Sequence, residues 1–202
     1  MREEIFTRIY ETNYWGGKDS VSGLGSDTIP TGYLVTELGH LLKDYEISTM
    51  LDIPCGDFNW MKRVKFDGHY IGADIVKPLV ERNTEFYADE RREFVVLDIV
   101  KDELPKVDLI FTRDCLVHMT LEEIGKAIEN IKKSKAKYLL ATNYFWRELP
   151  FNYEIRTGEW RRLSLHKPPF NFPFPQEILI EGYFYDEHKD KSMALWQIKD
   201  LP

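Results

Sequence analysis

The stretch Leu51-Asp52-Ile53-Pro54-Cys55-Gly56-Asp57-Phe58 decides the fold. It reads as a short buried strand closed by an acid, a tight turn with one glycine, and the start of a helix near Phe58 that carries Trp60, Met61 and Val64. Eighteen residues past Gly56 a second apolar strand, Tyr70-Ile71-Gly72-Ala73, ends in Asp74. Strand, turn, helix, strand and terminal carboxylate make a βαβ unit suited to a nucleoside. The turn lets backbone N–H groups approach a ligand, and the carboxylate accepts hydrogen bonds from ribose hydroxyls. An ordinary strand–turn–helix without a ligand is the bland alternative for residues 52–58 taken alone.

Outward from this unit the pattern repeats. Leu34, Val35, Leu38, Leu41 and Leu42 recur at helical spacing, with Thr31 as a candidate N-cap. A helix is expected over about Lys77 to Tyr87. Phe94-Val95-Val96-Leu97, ending in Asp98, and Val107-Asp108-Leu109-Ile110-Phe111 are apolar runs without alternation, the pattern of central strands covered on both faces. Thr120-Leu121-Glu122-Glu123 opens a helix with a capping box, and Leu121, Ile124, Ile128 and Ile131 mark one face of it. Tyr138-Leu139-Leu140-Ala141 is a fifth strand. Strand and helix alternating to this point imply a doubly wound parallel sheet. Ile178-Leu179-Ile180 and Met193-Ala194-Leu195-Trp196 follow as a hairpin around the polar loop Tyr185 to Lys191. The expected class is therefore α/β: a Rossmann-like doubly wound sheet, mostly parallel, with an antiparallel C-terminal hairpin strand. Residues 1–30 read as an irregular lid segment and 31–202 as the main domain.

The turn discriminates among nucleoside cofactors. A dinucleotide site uses three glycines to seat a pyrophosphate on a helix N-terminus. Here Pro54 stands at the first of those positions, without an N–H, and Phe58, which would crowd a pyrophosphate, stands at the third. The segment, Asp74 and the terminal hairpin together resemble class I S-adenosylmethionine-dependent methyltransferases over residues 31–202. The resemblance implies S-adenosyl-L-methionine as cofactor. It implies that Asp52 and Gly56 line its methionine end, that Asp74 holds the ribose, and that Pro54 and Ile75 also belong to the cofactor site. Asp98 and the N–H of Ile99 would face the adenine, and Arg113 would lie along the cofactor.

Arg113-Asp114-Cys115-Leu116-Val117-His118-Met119 follows the fourth strand, where many small-molecule methyltransferases join cofactor to acceptor. A hydroxyl acceptor benefits from a base with a near-neutral pKa, which makes His118 the first candidate catalytic residue and Asp114 the second. The alternatives are a histidine capping the next helix and an acid in a turn. Tyr14, Trp15 and Lys18, candidate substrate contacts with Lys18 offered to an anionic group, lie in a glycine- and serine-rich run expected to form a mobile lid over the site, or else a flexible terminus. Arg156, Arg161, Arg162, His166 and Lys167 form a local basic cluster. Arg161 and Lys167 are its candidate contacts for a phosphate or carboxylate on the acceptor, with scattered surface charge as the other reading. Pro168 to Pro175 either lines the acceptor pocket or only packs.

The chain has 202 residues, 43% of them hydrophobic, and a net charge of −7. That suits one soluble domain and argues against a nucleic-acid partner. No run is long enough to span a bilayer, and Met1-Arg2-Glu3-Glu4-Ile5 does not open a signal peptide. Cys55 and Cys115 suggest no disulfide framework, and a cytoplasmic location is expected. No metal is called for. The sequence reads as a methyltransferase acting on oxygen of a small polar acceptor, such as a sugar, a phosphorylated metabolite, or a precursor of a surface polysaccharide or natural product. Carbohydrate biosynthesis is the setting this suggests. A silent cofactor-binding scaffold and a nicotinamide-dependent oxidoreductase are the alternatives. A nucleic-acid methyltransferase is disfavoured by the charge and by Thr112-Arg113-Asp114 standing where its Asn/Asp-Pro-Pro-aromatic turn belongs.

Overall fold

The computed structural model describes residues 2–145, 151–181 and 190–202. Its seven strands order as β3-β2-β1-β4-β5-β7-β6 in a mixed sheet, the Rossmann-like arrangement the alternation implied. By packing the chain divides into two compact units, Met1–Asp98 and Ile99–Pro202.

The first unit contains α1 (Arg2–Glu11), α2 (Gly32–Asp44), β1 (Thr49–Asp52), β2 (His69–Asp74), α3 (Lys77–Tyr87) and β3 (Arg92–Val96). β1 and β2 are parallel with Asp52 opposite Gly72, and β2 and β3 are parallel with Asp74 opposite Val96. Leu34, Leu38, Leu41 and Leu42 of α2 are buried, as the periodicity required. Four expectations need correction. Residues 1–30 are not all irregular: α1 forms with Glu3 and Glu4 in its first turn and Arg8 in its last, the charge order that a helix dipole favours. No α-helix follows β1. Phe58 adopts a left-handed φ of 57°, which a continuing right-handed helix excludes, and only a 3₁₀ turn forms at Met61–Arg63. β3 lies at the edge of the sheet with partly exposed side chains, so its apolar run does not mark a central strand. Thr31 does precede α2, but its hydroxyl donates back to the carbonyls of Asp27 and Thr28 instead of capping.

The second unit contains β4 (Leu109–Thr112), α4 (Leu121–Lys133), β5 (Tyr138–Tyr144), β6 (Glu177–Ile180) and β7 (Lys191–Gln197). β4 and β5 are parallel, while β7 runs antiparallel to both β5 and β6, the terminal hairpin expected. The capping box is formed: Thr120 Oγ1 accepts the Glu123 N–H, and Glu123 accepts the Thr120 N–H. Behind it Ile124, Ala127, Ile128 and Ile131 are buried. β5 is longer than expected. β7 pairs all of it, from Tyr138 opposite Gln197 to Tyr144 opposite Lys191, so Thr142 and Asn143 lie inside the strand and not beyond its end. Most of the expected Tyr185–Lys191 loop lies outside the described residues, and Lys191 itself opens β7. Both cysteines are buried, and neither is in a disulfide.

Candidate active site

In the first unit the carboxyl ends of the strands carry buried acids: Asp52 closes β1, Asp74 closes β2, and Asp98 lies two residues beyond β3. Tyr70 Oη donates to Asp52 Oδ2 at 2.6 Å, and burial pushes the phenol well up, so it stays a donor. Asp74 Oδ2 accepts the Gly56 N–H at 3.1 Å and Oδ1 accepts the Val76 N–H at 3.0 Å. Burial nevertheless lifts the Asp74 carboxyl to about 6. The glycine turn and the acid eighteen residues later are thus one hydrogen-bonded construction. Asn83 of α3 donates to the Gly56 carbonyl at 2.7 Å, and the Cys55 N–H reaches the Ala73 carbonyl at 2.8 Å. Pro54 and Ile75 flank this turn half-buried. Gly56 has a φ of 55°, and a β-carbon there would collide with Ser22 Oγ. Phe58 does not crowd this space. Its left-handed backbone sends the ring into the core, against Tyr70, Tyr87 and Phe94.

The glycine- and serine-rich run is ordered, not loose. Asp27 accepts the N–H groups of Lys18, Asp19 and Ser20. Asp57, the residue after Gly56, accepts the Ser20 hydroxyl at 3.1 Å and the Val21 N–H at 2.9 Å, and its own N–H donates to Ser22 Oγ. Arg2 of α1 pairs with Asp98 at 2.7 Å. Residues 2–28 therefore touch two of the strand-end sites. Tyr14 is exposed, Trp15 packs near Phe6, and the backbone of Lys18 is committed to Asp27 while its residue stays exposed. A separate cavity of about 230 Å³, lined by Met50, Gly68 and Arg91 among others, opens at the opposite, amino ends of β1–β3.

In the second unit the segment after β4 holds His118 and Asp114. His118 is buried, which pulls its imidazole below the ordinary histidine value and leaves it neutral at neutral pH. Its Nδ1 faces the Glu159 carbonyl at 3.0 Å. A carbonyl only accepts, so Nδ1 carries the proton and Nε2 is the basic nitrogen. Asp114 does not form that contact. It pairs with Lys191 and with Arg113 Nη1 at 3.3 Å, and Arg113 also grips Glu181, its Nη2 at 2.5 Å from Oε2. Lys191 reaches Glu181 at 3.3 Å. Burial pushes the Asp114 carboxyl up, but the two cations outweigh it and hold the acid well below the usual range. Two cations and two acids so close a compensated cluster, and Arg113 belongs to it. Ile99 and Arg161 are buried, and Lys167 is half-buried at a turn where Phe170 and Asn171 bond its carbonyl. The proline run packs: Trp196 Nε1 donates to the Pro173 carbonyl at 2.8 Å, and Phe172 meets the Trp196 ring edge-on. Sequence reading did not single out Asn83, Asp57, Glu181 or Lys191; Asp57 alone, standing beside Gly56, carried a local signal.

No family model matches the chain, and no curated protein does. Solved structures do. Human N-acetylserotonin methyltransferase in complex with S-adenosylmethionine is 15% identical with a TM-score of 0.65, covering 98% of this chain and 59% of that one. Magnesium protoporphyrin IX methyltransferase from Synechocystis, with S-adenosylmethionine bound, is 14% identical with a TM-score of 0.63, over 96% of this chain and 95% of that one. The N-methyltransferase NodS from Bradyrhizobium japonicum, with S-adenosylhomocysteine, is 17% identical with a TM-score of 0.55, over 67% and 73%. The chain spans about three fifths of the length of the human enzyme. These likenesses establish the class I methyltransferase fold.

Proposed function

We propose that the protein is an S-adenosylmethionine-dependent methyltransferase acting on oxygen of a small polar acceptor. The observation that carries the reading is the hydrogen bond between the Gly56 N–H and the Asp74 carboxylate at the ends of β1 and β2, 3.1 Å long. The residues fit the cofactor. The turn has no room for a side chain at Gly56, Pro54 withholds the N–H that a phosphate would use, and the Asp74 oxygens keep lone pairs for the ribose hydroxyls. Asp52, Pro54 and Gly56 would flank the methionine end, Asp74 and Ile75 the ribose, and Asp98 with Ile99 the adenine. Residues 1–30, latched to Asp57 and Asp98, would serve as a lid on 31–202. The contacts of Arg113 with Glu181 and Asp114 favour a part in holding this segment over a direct contact with cofactor.

When bound, the cofactor would supply an activated methyl group for the acceptor oxygen, its sulfur keeping the electron pair of the broken carbon–sulfur bond. The protein's work is alignment and proton removal. His118 Nε2 takes the hydroxyl proton, the Nδ1–H bond to Glu159 fixing the ring for it. Asp114, through Lys191 and Arg113, positions the loop. A sugar or phosphorylated metabolite is the acceptor class proposed, with carbohydrate biosynthesis in the cytoplasm as the setting. Among the described residues no helix is long and apolar enough to cross a membrane. The test is to supply methyl-labelled cofactor with a fractionated small-metabolite extract. Label entering a small polar product supports the reading; label retained in the cofactor across all fractions, or found in nucleic acid, counts against it.

A further inference from the structure

Arg161 is 0% exposed, and its Nε, Nη1 and Nη2 have no hydrogen-bond acceptor among the described residues. A guanidinium carries five donors and a charge, and a fold does not ordinarily bury them unpaired. The other buried cations of this unit, Arg113 and Lys191, are matched by Glu181 and Asp114. Glu154 is close enough to act on Arg161 through its charge, yet its Oε1 is taken by the N–H groups of Leu121 and Ile155. Nor is the side chain needed to hold the segment. The backbone does that: the Arg161 N–H donates to the Val117 carbonyl at 3.1 Å and the Gly158 N–H to the His118 carbonyl at 2.8 Å. These bonds, with His118 Nδ1 on the Glu159 carbonyl, fix Arg161 beside the candidate base.

We propose that the Arg161 guanidinium is the receptor for an anionic group, a carboxylate or a phosphate, carried by the methyl acceptor. Either group presents two oxygens to the planar fork and supplies the acceptors that the guanidinium lacks among the described residues. The acceptor is then an acid or phosphate ester whose anion sits on Arg161 while another oxygen meets His118. The inference rests on the methyl-transfer reading only in calling the anion's owner an acceptor.

The experiment uses the full chain without cofactor. Thermal unfolding is followed against inorganic phosphate and against malonate, with sodium chloride at matched ionic strength as control. The wild type should gain about 5–10 °C at a hundredfold excess over the dissociation constant, saturably, with the responding anion identifying the group. R161M, which removes buried donors that have no acceptor, should unfold near the wild-type temperature without anion and should not respond. R161K keeps the charge without the fork and serves if R161M does not fold; its anion affinity should fall by about tenfold or more. A wild type that responds no more than to chloride, or a folded variant that keeps the full response, would each overturn the proposal. S-adenosylhomocysteine binding by the wild type, measured by calorimetry, separates the two readings. In the wild type, cofactor binding with no anion response sinks the anion site alone, and anion response with no cofactor binding sinks the methyltransferase reading alone.

Discussion

In the proposed mechanism Asp74 and His118 are the residues on which the chemistry turns, and each carries a prediction. Burial raises the Asp74 carboxyl from 3.8 to about 6. Between those values the folded protein holds a proton that the unfolded chain has released, so Asp74 favours folding below about pH 4 and this is lost as pH rises through about 6. Asp114, held low by Lys191 and Arg113, works in the opposite sense, so the Asp74 contribution has to be isolated by difference. Stability of Asp74→Asn minus that of wild type, from urea titrations, should rise across that window by on the order of 2–3 kcal/mol. A flat difference would mean that Asp74 titrates normally. The ionised carboxylate is also the form that accepts ribose hydroxyls, so cofactor affinity should weaken below about pH 6 in wild type and not in Asp74→Asn. For His118→Ala, turnover should drop by about 10²–10⁴ with cofactor affinity nearly unchanged. Because burial lowers the imidazole, the ascending limb of the wild-type pH–rate profile should lie below the ordinary histidine value. Near-normal turnover in His118→Ala would leave the histidine a structural one.

At the scale of elements, the N-terminal segment is the part whose role is least implied by its composition. Ser20 and Val21 latch onto Asp57, and Arg2 onto Asp98. Deleting residues 1–26 should leave far-UV dichroism and cooperative unfolding of the sheet largely intact, while cofactor affinity and turnover fall. The milder Asp57→Ala should cost stability of about 1.5–3 kcal/mol per hydrogen bond lost to the charged group. Unaltered affinity and turnover after the deletion would reduce the segment to packing. Elements with a strong period were legible from residue types alone: the leucines of α2, the isoleucines of α4 and its capping box, and the strands that end in Asp52 and Asp74. α1 was not, because Arg2–Glu11 is mostly polar and shows one buried residue, Ile9. The missing helix after β1 depends on the left-handed backbone of Phe58, which a sequence period does not encode. The charged cluster was invisible because its members are 68 and 77 positions apart, and only the β5–β7–β6 pairing brings them together.

Over the whole molecule, the fold and the Gly56–Asp74 turn were readable because both follow from strand order and a local spacing, whereas the surroundings proposed for the acceptor are assembled from distant segments of the second unit. Across that molecule the central claim is that the glycine turn and the β2 acid receive the nucleoside of S-adenosylmethionine and not a dinucleotide. Titration calorimetry of the full chain with S-adenosylhomocysteine and with NAD, repeated on Asp74→Ala, tests it most directly. S-adenosylhomocysteine should bind the wild type at one site, and NAD should not. Asp74→Ala, still folded, should lose about 1–3 kcal/mol of that affinity, the range for removing a hydrogen-bonded charged partner. NAD binding more tightly than S-adenosylhomocysteine, or an affinity unchanged in folded Asp74→Ala, would contradict the assignment.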